Sequence, residues 1–115
     1  MVDDDLVALD LLREILVAEG YDVTVARNGA DALAHVAAHP FHLMITDLGL
    51  SGLSGLDLIA ATKHRRPGIP IIVLTASRQQ ATLSDAVRLG ATRVLSKPQR
   101  QSDLIALMNH VLPQQ

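Results

Sequence analysis

Apolar positions along the chain follow two alternating periods. Short apolar runs of strand length are followed, five times over, by three-and-four spacing that suits one face of a helix. Met1-Val2 opens as the stub of a strand and gives way at once to Asp3, Asp4 and Asp5. Ala8, Leu11, Leu12, Ile15 and Leu16 then share a predicted helical face, closed by Gly20. Residues 21–26 alternate like a strand. Asn28, with Asp31 three residues on, has capping spacing for a helix that would bury Ala30, Leu33, Ala34 and Ala37. His42-Leu43-Met44-Ile45-Thr46-Asp47 is an apolar run ending in a carboxylate, and Gly49, Ser51, Gly52, Ser54 and Gly55 after it force a loop. Ser54 and Asp57 repeat the capping spacing ahead of a third helix carrying Leu58, Ile59 and Thr62. Residues 69–75 form a second continuous apolar run. A fourth helix runs from about Gln80 to Leu89 and stops at Gly90. Residues 92–96 make a short strand ending in Lys97-Pro98, and Leu104, Ile105, Met108, Val111 and Leu112 mark a last helix.

Five strand signals alternating with five helix signals predict one doubly wound α/β domain over residues 1–115. Apolar runs without alternation suit parallel strands buried on both faces. Right-handed crossovers then bring every strand's C-terminal end to one rim, where open α/β sheets bind ligands. That rim gathers Asp3, Asp4, Asp47, Thr75 and Lys97. Any one of these alone reads as a turn cap or a surface residue. Their company raises them to candidates for chemistry.

Composition narrows the chemistry. The 115 residues can bury a core without staples, and the absence of cysteine excludes disulfides and thiolate reactions and fits a reducing compartment. No apolar run reaches membrane-spanning length and no leader precedes the first helix, so the expected location is the cytoplasm. A net charge of −2 argues against a polyanion as main partner, and two aromatic residues, Tyr21 and Phe41, give no platform for stacking bases. No direct nucleic-acid or membrane binding is expected. His35 and His39 have helical metal-pair spacing but no third ligand, and read as surface histidines. Residues 63–66 are a basic run read as a solvated helix end meeting the helix dipole.

Crowded carboxylates repel one another unless a cation joins them. An oxygen-only site with few protein ligands suits Mg²⁺, often shared with a phosphate. With a lysine and a hydroxyl across the rim, the set can cradle a phosphoryl group, and Asp47 is a candidate nucleophile.

On the motifs Val2-Asp3-Asp4, Ile45-Thr46-Asp47, Gly52 with Gly55, Leu74-Thr75-Ala76, Gly90-Ala91 and Lys97-Pro98, the chain resembles the receiver domain of two-component response regulators over nearly its whole length. The resemblance implies a flavodoxin-like five-stranded sheet of order 2-1-3-4-5, and a phosphoryl group taken from a sensor histidine kinase or phosphotransfer protein. It implies Asp47 as phosphoacceptor, and Asp4, Asp47 and the Gly49 carbonyl as Mg²⁺ ligands, with Asp3 orienting the metal's waters. Lys97 and Thr75 would contact the phosphoryl oxygens, and the small Ala76 would leave room for access. The Lys97-Pro98 peptide would be cis. Such a domain signals by conformational change and assists its own phosphorylation and dephosphorylation, without being a separate catalyst.

The departures are specific. Ser51 stands where the family usually has proline, Ser54 where an acid is frequent, and Val94 where the switch residue is usually aromatic. The first strand is only Met1-Val2, so further residues upstream, another element or a second molecule is expected to fill the gap. Two rival readings remain. A flavin or nucleotide carrier would need glycines and hydroxyls after the first strand, where three aspartates stand. A receiver-like interaction module that is never phosphorylated is opposed by the intact Asp47, Thr75 and Lys97 set. The kinase, the output and the oligomeric state are not legible, and the chain is either a stand-alone receiver or a piece of a longer protein.

Overall fold

A computed structural model describes residues 1–3, 5–49, 53–76, 79–97 and 101–111. The two apolar runs become β1 (Met44–Thr46) and β2 (Ile71–Thr75), and β3 (Arg93–Ser96) completes a parallel sheet in the order β1-β2-β3. Met44 pairs with Ile71 and Thr46 with Val73, while Val73 pairs with Val94 and Thr75 with Ser96. Five helices accompany the strands: α1 (Leu6–Ala18), α2 (Gly29–Ala38), α3 (Gly55–Arg65), α4 (Gln80–Leu89) and α5 (Gln101–Val111).

The sheet lies between two apolar layers, which is why its central strand shows no alternation. Val36, Met44, Leu58, Ile59, Ile71 and Val73 belong to one layer. Leu16, Ile45, Ile72, Leu104 and Met108 belong to the other. Ile71, Ile72 and Val73 are wholly buried, as a strand covered on both faces must be.

The predicted caps form. Asn28 accepts from the Asp31 N–H at 2.9 Å, and the Ser54 hydroxyl accepts from the Asp57 N–H at 3.1 Å. Each satisfies an N–H that the first helical turn leaves without a partner. Gly90 ends α4 at φ +123°, a conformation that favours glycine. The basic end of α3 is less solvated than its composition implies. Lys63 is half-buried and its ammonium donates to the carbonyls of Pro67 and Ile69.

Two helix faces differ from the expectation. On α1, Leu9 and Leu16 are buried but Leu11 is 60% exposed. Aliphatic residues cover so much of α1 that two overlapping faces fit the spacing, and the sheet selects one. On α2, Gly29, Ala32 and Val36 are buried, while Ala30, Ala34 and Ala37 are exposed.

The sheet itself also differs. Among the described residues it has three strands, not five. The first and second predicted strands contribute isolated parallel bridges, from Val2 to Ala26 and from Val2 to Thr46. The Val2 N–H donates to the Ile45 carbonyl at 2.8 Å, and the Asp47 N–H donates to the Val2 carbonyl at 3.0 Å. On its other side the Ala26 N–H donates to the Met1 carbonyl at 2.8 Å, and the Asp3 N–H to the Ala26 carbonyl at 3.2 Å. A two-residue stub can pair only at its own length, so ladder formation stops there. Among the described residues no helix is long and apolar enough to cross a membrane.

Gly55 fixes the height of the loop after β1. A Cβ there would lie 2.4 Å from the Leu48 Cα and 2.6 Å from the Asp47 carbonyl oxygen, both backbone atoms that cannot swing aside. Gly68 has no heavy atom within 4 Å of such a Cβ. Gly55→Ala should therefore lower stability by roughly 1–3 kcal/mol through overpacking. Gly68→Ala should be neutral or slightly stabilising. Parallel denaturant melts check the pair, and equal effects would contradict the close approach at Gly55.

Candidate functional site

Three segments deliver charge to one rim. Val2, held on both sides, presents Asp3. β1 ends at Thr46 and presents Asp47. β3 ends at Ser96 and presents Lys97, whose N–H donates to the Thr75 carbonyl at 2.8 Å and so ties the lysine to the end of β2.

The Lys97 ammonium bridges the two carboxylates, lying 2.7 Å from Asp3 Oδ2 and 3.2 Å from Asp47 Oδ2. The side chains keep 28% (Lys97), 11% (Asp3) and 14% (Asp47) of their exposure, so solvent screening is incomplete. The second oxygen of each aspartate is also engaged. Asp47 Oδ1 accepts the N–H of Leu48 at 2.7 Å and of Gly49 at 3.3 Å. Asp3 Oδ1 accepts the Asp5 N–H at 3.0 Å. Asp5 in turn caps the start of α1, its carboxylate accepting the Val7 N–H at 3.1 Å.

Opposing causes act on Asp47. Burial pushes its carboxyl pKa up, but the Lys97 hydrogen bond and charge, with the Gly49 and Leu48 N–H groups, outweigh it. The net shift is below the ordinary 3.8. For Lys97 burial pulls down, while hydrogen bonds and charge from Asp3 and Asp47 raise the pKa above 10.5.

Of the residues singled out in the sequence, Asp3, Asp47 and Lys97 are in direct contact. Thr75 is buried, 2% exposed, and is joined to them through its carbonyl. Ala76 next to it is exposed. The Gly49 N–H is on the Asp47 carboxylate. Val94 lies away from this cluster, half-buried in β3 opposite Val73. Asp4 and Pro98, and with Pro98 the expected cis peptide, lie outside the described residues. Sequence reasoning missed the Leu48 N–H and the steric role of Gly55. The Leu48 contact leaves no trace in residue type, because any N–H would serve; Gly55 is legible in the sequence as a loop former and a family motif, but not as a point of close backbone approach.

The donor set is oxygen-only and anionic, and an ammonium already stands between its carboxylates as a cation would. These residues therefore fit a hard divalent ion. Among the described residues no group of three metal-binding side chains occurs. The described part thus supplies two carboxylates.

The family model for the response regulator receiver domain matches residues 1–109. The chain belongs to that family. It is 38% identical over 108 residues to the acid tolerance regulatory protein ActR of Rhizobium meliloti strain 1021, covering 94% of this chain and 56% of the relative. To the transcriptional regulatory protein ZraR of Salmonella typhimurium it is 35% identical over 98 residues, covering 85% of this chain and 22% of the relative. The receiver thus spans about half or less of these relatives' lengths.

Solved receivers share the fold. A response regulator receiver domain protein (CheY-like) from Methanospirillum hungatei JF-1 superposes with a TM-score of 0.93 at 29% identity, covering 95% of this chain and 87% of that one. A response regulator from Burkholderia pseudomallei, solved with a phosphorylated aspartic acid, a calcium ion and citrate, gives a TM-score of 0.86 at 36% identity. The alignment covers 91% of this chain and 62% of that one. As a receiver domain of two-component systems, the chain is a signalling domain rather than a separate catalyst.

Acid and alkali should act on the rim in opposite directions. In metal-free buffer Asp47's contribution to stability is complete above 3.8 and is lost as pH falls through its lowered native pKa. Lys97's contribution is complete below 10.5 and is lost as pH rises through its raised native value. Lys97→Met should bring the Asp47 carboxyl back toward or above 3.8, read by carboxyl-carbon NMR. An unmoved titration would remove the ammonium as the cause.

Proposed function

We propose that this receiver takes a phosphoryl group from the phosphohistidine of a sensor kinase or phosphotransfer protein onto Asp47. The supporting observation is the ammonium of Lys97 shared between Asp3 and Asp47 at the rim. Asp47 Oδ2 attacks phosphorus, and the bond from phosphorus to the imidazole nitrogen breaks with its electron pair left on nitrogen. The product is an acyl phosphate. On this reading the Leu48 and Gly49 N–H groups hold the Asp47 carboxylate in place through Oδ1. Lys97 then balances charge on the phosphoryl oxygens as its contact with Oδ2 is replaced. The Thr75 hydroxyl donates to a phosphoryl oxygen, and Ala76 leaves access open.

Mg²⁺, held by Asp4, Asp47 and the Gly49 carbonyl with Asp3 orienting its waters, would supply charge neutralisation for the incoming phosphate. Two observations favour the cation. The described donors are carboxylates, and the Burkholderia relative carries calcium together with a phosphorylated aspartate. The order 2-1-3-4-5 and a cytoplasmic site of action belong to the same reading; the double bridging of Val2 supports the order.

Incubation with a small acyl-phosphate donor and Mg²⁺ should add one phosphate by mass. Asp47→Asn should abolish it, and chelation should suppress it. Asp4→Asn should weaken metal binding, whereas Lys97→Ala should spare it more than it spares signalling. Undiminished labelling of Asp47→Asn would sink the assignment. Failure of the unaltered chain to label would favour an interaction module that is not phosphorylated.

Val94 shapes how the signal leaves the rim. Its branched side chain has one stiff torsion and sweeps little volume, so a ring rotation at this position is not available. Phosphorylation is expected instead to move the Thr75–Gln80 loop and α4. Amide chemical shifts with and without an acyl-phosphate mimic test this. Large changes centred on Val94 and α5, with residues 75–80 silent, would show it wrong.

A further inference from the structure

The turn that starts α3 makes three anchored contacts with three consecutive residues. Leu53 is half-buried and packs against the apolar layer that contains Ala32, Val36 and Leu48. It also abuts Gly29, the buried first residue of α2. A Cβ at Gly29 would lie 2.9 Å from the Leu53 Cβ, 3.0 Å from its Cδ2 and 3.0 Å from its carbonyl oxygen. Carbon atoms pack best at about 3.5–4.0 Å, so only glycine lets α2 and Leu53 sit this close. Ser54 caps α3 through the Asp57 N–H. Gly55 donates its N–H to the Leu48 carbonyl at 3.1 Å, in the same close approach that brings it against the Leu48 Cα.

Leu48 is where this turn meets the rim. Its side chain is buried, and its N–H donates to Asp47 Oδ1 at 2.7 Å. The backbone of Asp47 is held as well, its N–H on the Val2 carbonyl at 3.0 Å and its carbonyl on the Thr46 hydroxyl at 2.9 Å. The second donor to Oδ1 is supported differently. Gly49 is exposed, its N–H lies 3.3 Å from Oδ1, and a Cβ there would meet nothing within 4 Å. The carboxylate therefore takes its firmer support from Leu48, and Leu48 takes its own from the turn at Gly55.

We propose that Leu53, seated on Gly29, is a positioning residue for Asp47: the start of α2 sets the turn at residues 53–55, and the turn holds the Leu48 N–H that orients the carboxylate. The Leu53 side chain is apolar and can give the rim nothing but position. Gly55 stands two residues on and is in backbone contact with both Asp47 and Leu48. A displacement at Leu53 thus reaches them with no flexible side chain in between. An attacking oxygen turned out of line slows group transfer steeply, so the seat bears on rate as well as stability. The consequence in rate rests on Asp47 being the phosphoacceptor; the orienting contact itself does not.

The test compares the full chain with Leu53→Ala, Leu53→Met, Gly29→Ala and Val36→Ala. Val36 is buried in the same layer but toward the other end of α2, so its truncation lowers stability without reaching the turn. One readout is amide exchange at Leu48 in metal-free buffer, with urea added to bring all variants to equal global stability. The other is the rate of labelling by a small acyl-phosphate donor with Mg²⁺, followed across donor concentrations. Leu53→Ala and Gly29→Ala should each speed Leu48 exchange about tenfold. Both should lower the rate at saturating donor by about tenfold, with the half-saturating concentration unchanged. Leu53→Met, which refills the seat, and Val36→Ala should stay near the unaltered chain in both readouts. A Leu48 amide no faster in Leu53→Ala than in Val36→Ala would overturn the proposal, and so would a saturating rate that Leu53→Ala leaves intact. If the unaltered chain does not label, the phosphoacceptor reading falls and Leu48 exchange alone decides whether Leu53 positions Asp47.

Discussion

The rim is organised by a charge problem. Parallel strands deliver Asp3 and Asp47 to the same edge, and two partly buried carboxylates that close repel unless a cation stands between them. Lys97 answers that with one ammonium shared between two oxygens. Its placement depends on the backbone, since the Lys97 N–H is fixed to the Thr75 carbonyl. The Asp47 carboxylate is held from its other side by two N–H groups, and those sit where they do because α3 presses onto the same loop at Gly55. The charge cluster, the loop and the first turn of α3 are therefore one construction. A change at Gly55 would be felt at Asp47 without touching a charged atom.

The same dependence explains what was legible in the sequence. Asp47 and Lys97 could be placed because each ends an apolar run, and buried parallel strands expose their ends on one side. Thr75 could be placed at the rim for the same reason, although its near-complete burial was not foreseeable from a polar residue at a strand end. Ser54 and Asn28 were legible as caps because capping is local in sequence. The faces of α1 and α2 were not, for opposite reasons. α1 has more aliphatic positions than one face can use, and α2 is so rich in alanine that its periodicity barely distinguishes sides. The first two predicted strands appear only as isolated bridges for a different reason. Residues 21–26 have a strand's alternation, but alternation is only a capacity to pair, and pairing needs a neighbour along the whole length.

Val94 belongs to the packing that holds β3 against β2 below the rim. It pairs with Val73, which has no exposed surface, and both are β-branched residues with few rotamers. The β2–β3 contact near the rim is thus close-packed and stiff. Thr75 follows two residues after Val73, and Ala76 is exposed. The chain passes from buried to exposed within three residues, and between them the Thr75 carbonyl holds the Lys97 N–H at the end of β3.

Residues 1–3 join the two ends of the molecule's chemistry. Asp3 enters the charge cluster, Val2 bridges both Ala26 and Thr46, and Met1 packs against the apolar layer of Leu16 and Met108. Three residues are a short lever, and their backbone bonds lie within 2.8–3.2 Å on both sides. Little of the charge on Asp3 can relax by local bending, because Val2 is pinned at its N–H and its carbonyl. The position of Asp3 is therefore set by the sheet rather than by its own torsions. The apolar packing of Val2 and the electrostatics at the rim are therefore joined across one peptide bond.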